Sequence, residues 1–161
     1  MADATIEISR EQKALEKAKR YSAWSAGAGL IPVPGLDLIA ISGVQLKMLA
    51  EIAAIYDVPF QKELGKEMLS GLLGSLVPLQ IAHGAASAFK AVPLFGSFAA
   101  LLLQPALSGA AAYAIAKVFI LHFESGGTFL NFEPSKVRDH FLKEFESARA
   151  GVKAETSAST S

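Results

Sequence analysis

His83, His122 and His140 are the only imidazoles in a chain that has no cysteine. A transition-metal centre needs several such ligands converging, so spacing decides whether they can act together. His122 and Glu124 are two residues apart; on a helix they point about 200° away from each other and cannot chelate jointly. His140 and Glu144 are four apart, which permits contact, but as an ordinary surface pair. His83 sits in an apolar run and reads as a satisfied buried histidine before it reads as a ligand. A phosphate-binding loop is equally absent. Gly65-Lys66 is followed by Glu67 where the loop needs Ser or Thr, and Gly27-x-Gly29 lacks both the third glycine and a preceding strand. No residue is therefore assigned a catalytic, cofactor-binding or metal-binding role, no cofactor is expected, and no enzymatic activity is expected.

Asp37 is the sharpest single oddity, being the only acid between Tyr21 and Ala50. One reading is a functional carboxylate within a membrane, where a buried charge is costly and marks a working site. The other is a group near a helix N-terminus, meeting free amides and the positive end of the dipole. Its place directly after a Pro-Gly turn favours the second.

The elements that would position these groups are helical. Ser9-Arg10-Glu11-Gln12 fits a capping box, in which Ser and Gln side chains satisfy free backbone donors reciprocally. The helix it opens carries Ala14, Leu15, Ala18, Tyr21 and Trp24. Lys13, Lys17 and Arg20 line another face, joined by Lys19; this reads either as a lipid-facing basic stripe or as a solvated surface relieved by Glu11 and Glu16. Pro32 to Gly35 forms a stiff elbow. A second helix runs from Leu36 to about Tyr56 and ends at Asp57-Val58-Pro59. Phe60–Glu67 is a polar helical turn. The stretch 68–123 then holds no acid, and its only formal charges are Lys90 and Lys117. It contains uncharged runs of 22 residues (Met68–Phe89) and 26 residues (Ala91–Ala116), separated by a second elbow, Pro93–Gly96. About 1.5 Å per residue makes each run just long enough to cross a hydrocarbon core. Small residues recur four apart at Ser70/Gly74, Gly71/Ser75, Ser108/Ala112 and Ala112/Ala116, a spacing that suits close helix contact in lipid and in water alike. Lys90 would mark the tip of the hairpin if the two runs enter a bilayer.

Ser125-Gly126-Gly127 is a helix stop. Thr128–Glu133 is an extended connector that should tuck Phe129, Leu130 and Phe132 against the bundle. Pro134 opens a last amphipathic helix with Val137, Phe141, Leu142, Phe145 and Ala148 on one side. The fold class predicted is all-α: helical hairpins with Pro/Gly elbows forming a bundle of about five helices. Residues 1–8 should be a flexible N-terminus, 9–150 a single helical domain with an apolar hairpin core at 68–123, and 151–161 a disordered tail. Repetition of Pro-x-x-Gly at the two elbows, with Ser42-Gly43 echoed by Ser108-Gly109, hints at an internal duplication.

Composition narrows the function. Fifteen basic and fifteen acidic residues cancel, so nucleic acid is not an expected partner. A hydrophobic fraction of 52% and mean hydropathy of +0.36 are high for a soluble protein and modest for a polytopic one. The N-terminus shows no basic segment followed by an apolar one, so no cleaved signal peptide is expected.

Several stretches resemble the YcjF-like domain of unknown function. They are Tyr21-Ser22-Ala23, Gly29-Leu30-Ile31-Pro32-Val33-Pro34-Gly35-Leu36-Asp37, Val44-Gln45-Leu46-Lys47-Met48, Leu72-Leu73-Gly74-Ser75-Leu76 and Lys117–Phe129. The resemblance covers roughly residues 20 to 146. It implies a bacterial membrane protein, in a family whose domain is sometimes fused behind an Era-like GTPase module and has no established activity. These 161 residues contain no such module, which leaves a GTPase partner in trans. The function expected is that of a non-enzymatic, membrane-associated helical accessory protein at the bacterial inner membrane or its cytoplasmic face. Its partners would be a lipid bilayer, a GTPase and further copies of itself. A soluble all-α scaffold or oligomerisation module, or a conditional membrane inserter, is the alternative.

Overall fold

A computed structural model describes residues 9–28, 36–76 and 96–159, with only the backbone placed at 28, 36–42, 96–107, 152–153 and 155–159. Five α-helices occur among them: α1 (Arg10–Ala28), α2 (Leu36–Ile55), α3 (Lys62–Gly74), α4 (Gly96–Glu124) and α5 (Pro134–Ser159). A 3₁₀ turn, Phe129–Asn131, joins α4 to α5. No strand occurs among the described residues, and the protein is an all-α bundle.

Local chemistry sets the helix ends. At the start of α1, Ser9 N donates to Gln12 Oε1 at 3.0 Å and Gln12 N donates to Ser9 Oγ at 3.2 Å, the reciprocal pair read from the sequence. α4 stops at a Schellman motif. Gly126 sits at φ +80°, its N–H reaches Phe123 O at 2.9 Å, and Gly127 N–H reaches His122 O at 2.9 Å. α2 ends the same way with a non-glycine residue, Asp57, at φ +56°. Asp57 N donates to Ala54 O at 3.3 Å and Val58 N to Ala53 O at 2.9 Å. Asp tolerates the left-handed region better than most residues because its short side chain bonds locally.

α1 and α2 form an antiparallel hairpin, since Arg10 pairs with Asp57 and Lys17 with Glu51. α4 runs antiparallel to α1: Ser22 Oγ donates to Gly109 O at 2.7 Å. The approach is close there, because a Cβ at Gly109 would lie 3.2 Å from Ser22 O and 3.4 Å from Ala26 Cβ. Ala14 and Ala18 on α1, and Ala110, Ala111, Ala112, Ala114 and Ala116 on α4, are all buried. The four-residue spacing on α4 thus serves interior packing, whereas Ser70 and Gly74 on α3 are exposed. α5 covers α4 through Phe141 and Phe145, with Val137, Leu142 and Ala148 half-buried beside them.

Two expectations are corrected. The run Met68–Phe89 is not one helix: α3 ends at Gly74, and Ser75 Oγ bonds back to Leu72 O at 2.5 Å. Met68, Leu69 and Leu72 face the protein core instead. Gly71 and Gly74 supply little propensity to carry the helix further. At the other end, α5 does not stop at Ala150 but continues to Ser159. Lys153, Ala154 and Glu155 are good helix formers, and a short helical extension needs no core of its own once it grows from an anchored helix. Gly151 and Ala154 in that extension are exposed. Truncation after Ala150 should accordingly lower Tm by less than about 2 °C in a thermal melt. The elbow at Pro32–Gly35, the residues Pro93–Phe95 of the second elbow, His83 and Lys90 lie outside the described residues, as does the side chain of Asp37.

Of the three connector residues expected to pack, Phe129 and Phe132 are buried and Leu130 is 77% exposed. Thr128 caps the 3₁₀ turn, with Asn131 reaching back to its backbone at 2.7 Å. His122 pins this turn to α4, its Nε2 lying 2.9 Å from Thr128 O and 3.1 Å from Asn131 Oδ1. Both neighbours are acceptors, so Nε2 carries the proton. Gly127 is indispensable beside it, because a Cβ there would overlap the imidazole ring. Gly127→Ala should cost about 1–3 kcal/mol in denaturant unfolding. Adding His122→Ala should recover part of that loss in a double-mutant cycle, since the obstructing ring is then gone.

Candidate functional site

The only dense polar cluster among the described residues is centred on Glu51 of α2. Lys17 Nζ donates to Glu51 Oε2 at 2.6 Å and Tyr21 Oη donates to Oε1 at 2.5 Å. The Arg20 guanidinium lies 3.8 Å from Oε2 and 6.0 Å from the Tyr21 ring. All three partners come from α1, where positions 17, 20, 21 and 24 share one side of the helix. The Lys17 hydrogen bond, then that of Tyr21, holds the Glu51 carboxyl below the usual carboxylate range. Burial, reinforced by Glu51, pushes the Tyr21 phenol up to about 12. Neither group is poised to exchange a proton near neutral pH, so the cluster is a latch between α1 and α2 rather than an acid–base pair. Half of the α1 basic stripe is thereby turned onto α2, leaving Lys13 and Lys19 in solvent.

A second contact closes the opposite end of the bundle. Tyr56 Oη donates to Glu124 Oε1 at 2.6 Å, and burial with this carboxylate pushes the Tyr56 phenol upward. Glu124 and His122 therefore take separate partners. His140 Nε2 lies 3.8 Å from Glu144 Oε1, as their spacing allows. Among the described residues no three His, Asp or Glu side chains converge as a metal site would require. Asp37 falls in the first turn of α2.

Beneath the connector lies an aromatic block. The rings of Phe119 and Phe132 stack at 4.2 Å with 3° between their planes. Phe129 stands 5.8 Å from Phe119 and 5.4 Å from Phe123, and Phe60 meets Phe129 edge-on at 5.5 Å. This block fixes α4, the connector and the entry to α3 as one unit.

Polarity is segregated along the bundle. With Glu51 level with Lys17–Tyr21, and Gly109 level with Ser22–Ala26, the N-terminal ends of α2 and α4 both project roughly 10 Å beyond the end of α1. The described sequences at that end, 26–28, 36–44 and 96–107, carry one formal charge, Asp37 in the first turn of α2. The opposite end holds Arg10, Asp57 and Glu124. Near the middle, Ser25 Oγ and Gln45 Oε1 are buried and find no hydrogen-bond partner among the described residues. No described helix is long and apolar enough to cross a membrane, which corrects the expectation of transmembrane helices for the segments seen. In the C-terminal half of α4, residues Ala110–Ile120 are instead mostly enclosed by protein.

The described residues form an all-α bundle latched by charge, with one end where Asp37 is their one formal charge. The chain belongs to the family Domain of unknown function (DUF697), whose sequence model matches residues 1–147. It is 30% identical over 144 residues to Magnetosome membrane protein 22 of Magnetospirillum gryphiswaldense, an alignment spanning 89% of this chain and 74% of that protein. No solved structure matches it.

Proposed function

We propose that this protein is a non-enzymatic accessory protein that associates with a bilayer through the apolar end of its bundle, where Asp37 is the one formal charge of the described sequence. The observation that carries this reading is the segregation itself: α2 and α4 project beyond the charge-latched body at the end where Asp37 is the one formal charge of the described sequence. Apolar groups gathered at one end of a molecule gain by leaving water together. Similarity to a protein named for a membrane supports the same reading. The bilayer is the bacterial inner membrane, met from its cytoplasmic face. Residues 9–150 act as one domain, and the solvated faces of α1 and α5 receive a GTPase in trans, with self-association as a further mode of assembly. Carbonate extraction of membranes from expressing cells tests the core of the proposal: the chain should pellet with the membranes, and full release overturns integral insertion. Mild-detergent purification tests the partner: a GTP-hydrolysing protein should be retained in stoichiometric amount, and its absence removes that element alone.

A second reading, exchange between a soluble form and a bilayer-bound form, is favoured by the enclosure of Ala110–Ile120 within protein. Partial extraction that shifts with conditions is its signature.

A further inference from the structure

Trp24 is the only tryptophan in the chain, and it is 69% exposed. A tryptophan left in water on an otherwise well-packed helix calls for an occupant. Its setting identifies one. Trp24 lies one turn beyond Arg20 on α1, on the side of the helix that carries Lys17 and Arg20 to Glu51. Lys47 lies one turn before Glu51 on α2, on the same side as Glu51. Because the two helices are antiparallel about the Glu51 latch, Trp24 and Lys47 each stand about 5 Å past it towards the apolar end. Lys19 and Lys47 are exposed, and the Arg20 side chain is 61% exposed. The acids near this level are Glu51, taken up by Lys17 and Tyr21, and Glu16 one turn back on α1. One turn further towards the apolar end, Gly27 and Gly43 are exposed with open space around them, and from there to Leu36 neither sequence holds a charge except Asp37.

We propose that Trp24, Lys19 and Lys47 form a collar that seats the α1–α2 hairpin on an anionic bilayer surface, the indole in the interfacial layer and the two cations at the phosphates. This rests on the membrane reading above and adds the depth and lipid chemistry of the contact. Tryptophan prefers the boundary between headgroup and acyl chain because its ring is apolar and its N–H still needs a partner. Basic side chains beside it gain from the negative potential of phosphatidylglycerol-type lipids, by about fivefold in affinity for each cation. The collar divides the paired charges of the body from the apolar end, which is where an interface would lie.

The single tryptophan is its own probe. With the full chain and vesicles of phosphatidylcholine alone or with phosphatidylglycerol, Trp24 emission should shift to shorter wavelength and lose iodide quenching on the anionic vesicles. The double variant Lys19→Gln/Lys47→Gln touches neither the Glu51 latch nor the core. It should keep the wild-type melting temperature and bind anionic vesicles on the order of 20-fold more weakly. A chain that floats with vesicles while Trp24 stays open to iodide, or a double variant that binds equally well, overturns the collar and leaves the membrane reading standing. A chain that floats with no vesicle overturns both. A blue shift that grows with protein concentration in lipid-free buffer assigns Trp24 to a second copy and overturns the lipid contact.

Discussion

Phe119→Ala should destabilise the protein by about 3–5 kcal/mol, the largest effect of any single truncation considered. Phe119 has no solvent exposure and meets Phe123, Phe129 and Phe132 at centroid distances of 5.8, 5.8 and 4.2 Å. Three of these rings come from two different elements, so removing Phe119 leaves a void that no single side chain can fill by changing rotamer. The stacked and tilted ring contacts add to the area term. Chemical denaturation followed by far-UV circular dichroism measures the loss. Phe119→Leu, which keeps most of the volume, should cost markedly less. Equal losses for the two variants would mean that the void is not the cause.

Glu51→Ala should cost about 2–4 kcal/mol and change how stability responds to pH. The substitution strands the Lys17 ammonium and the largely buried Tyr21 hydroxyl together, and hydrogen bonds to charged groups contribute more than neutral ones. Glu51 has a folded-state pKa below its ordinary value, so the stability it adds is present above about pH 4.5 and is lost as pH falls through the lowered value. Tyr21 is shifted the other way. Its contribution is complete below pH 10.0 and is lost as pH rises from there towards about 12. The wild-type protein should therefore weaken at both extremes. Tyr21→Phe should flatten part of the alkaline limb and leave a share to Tyr56, whose phenol is also raised. Denaturant midpoints between pH 3 and pH 11 check both limbs. An unchanged acid limb in Glu51→Ala would show that Glu51 is not the group responsible.

These two sites differ in how far the chain disclosed them. Elements whose cause lies within a few residues were legible: the Ser9–Gln12 box, the glycine stop at Gly126 and the start of α5 at Pro134 each depend on neighbours three or four positions away. Phe141 and Phe145 were legible because a helical period marks its own buried face. The Glu51 latch was not. Its partners lie 30 and 34 residues distant on another helix, and nothing near Glu51 signals which face of α1 will meet it. Uncharged length misled in the opposite direction. Met68–Leu72 reads like the start of a membrane run, yet it is drawn into the core because α5 and the connector offer an apolar face to it. The end of α2 at Asp57-Val58-Pro59 was legible, but the left-handed conformation of Asp57 was not, since such a cap at a non-glycine residue has no compositional mark.

The pairing of Ser22 with Gly109 spans 87 residues. At synthesis rates of about 5–20 residues per second, α1 emerges from the ribosome roughly 4–17 s before the helix that will cover Ala14 and Ala18. The α1–α2 hairpin can close in that interval, since its latch needs only residues up to Glu51, but its apolar seam must wait. The sequence 77–95, whose one formal charge is Lys90, is made during the same wait. A nascent chain in this state holds the apolar faces of α1 and α2 uncovered until α4 and α5 arrive. On the membrane reading proposed above, exchanging the order of its helices by circular permutation should alter membrane targeting while leaving the finished fold intact.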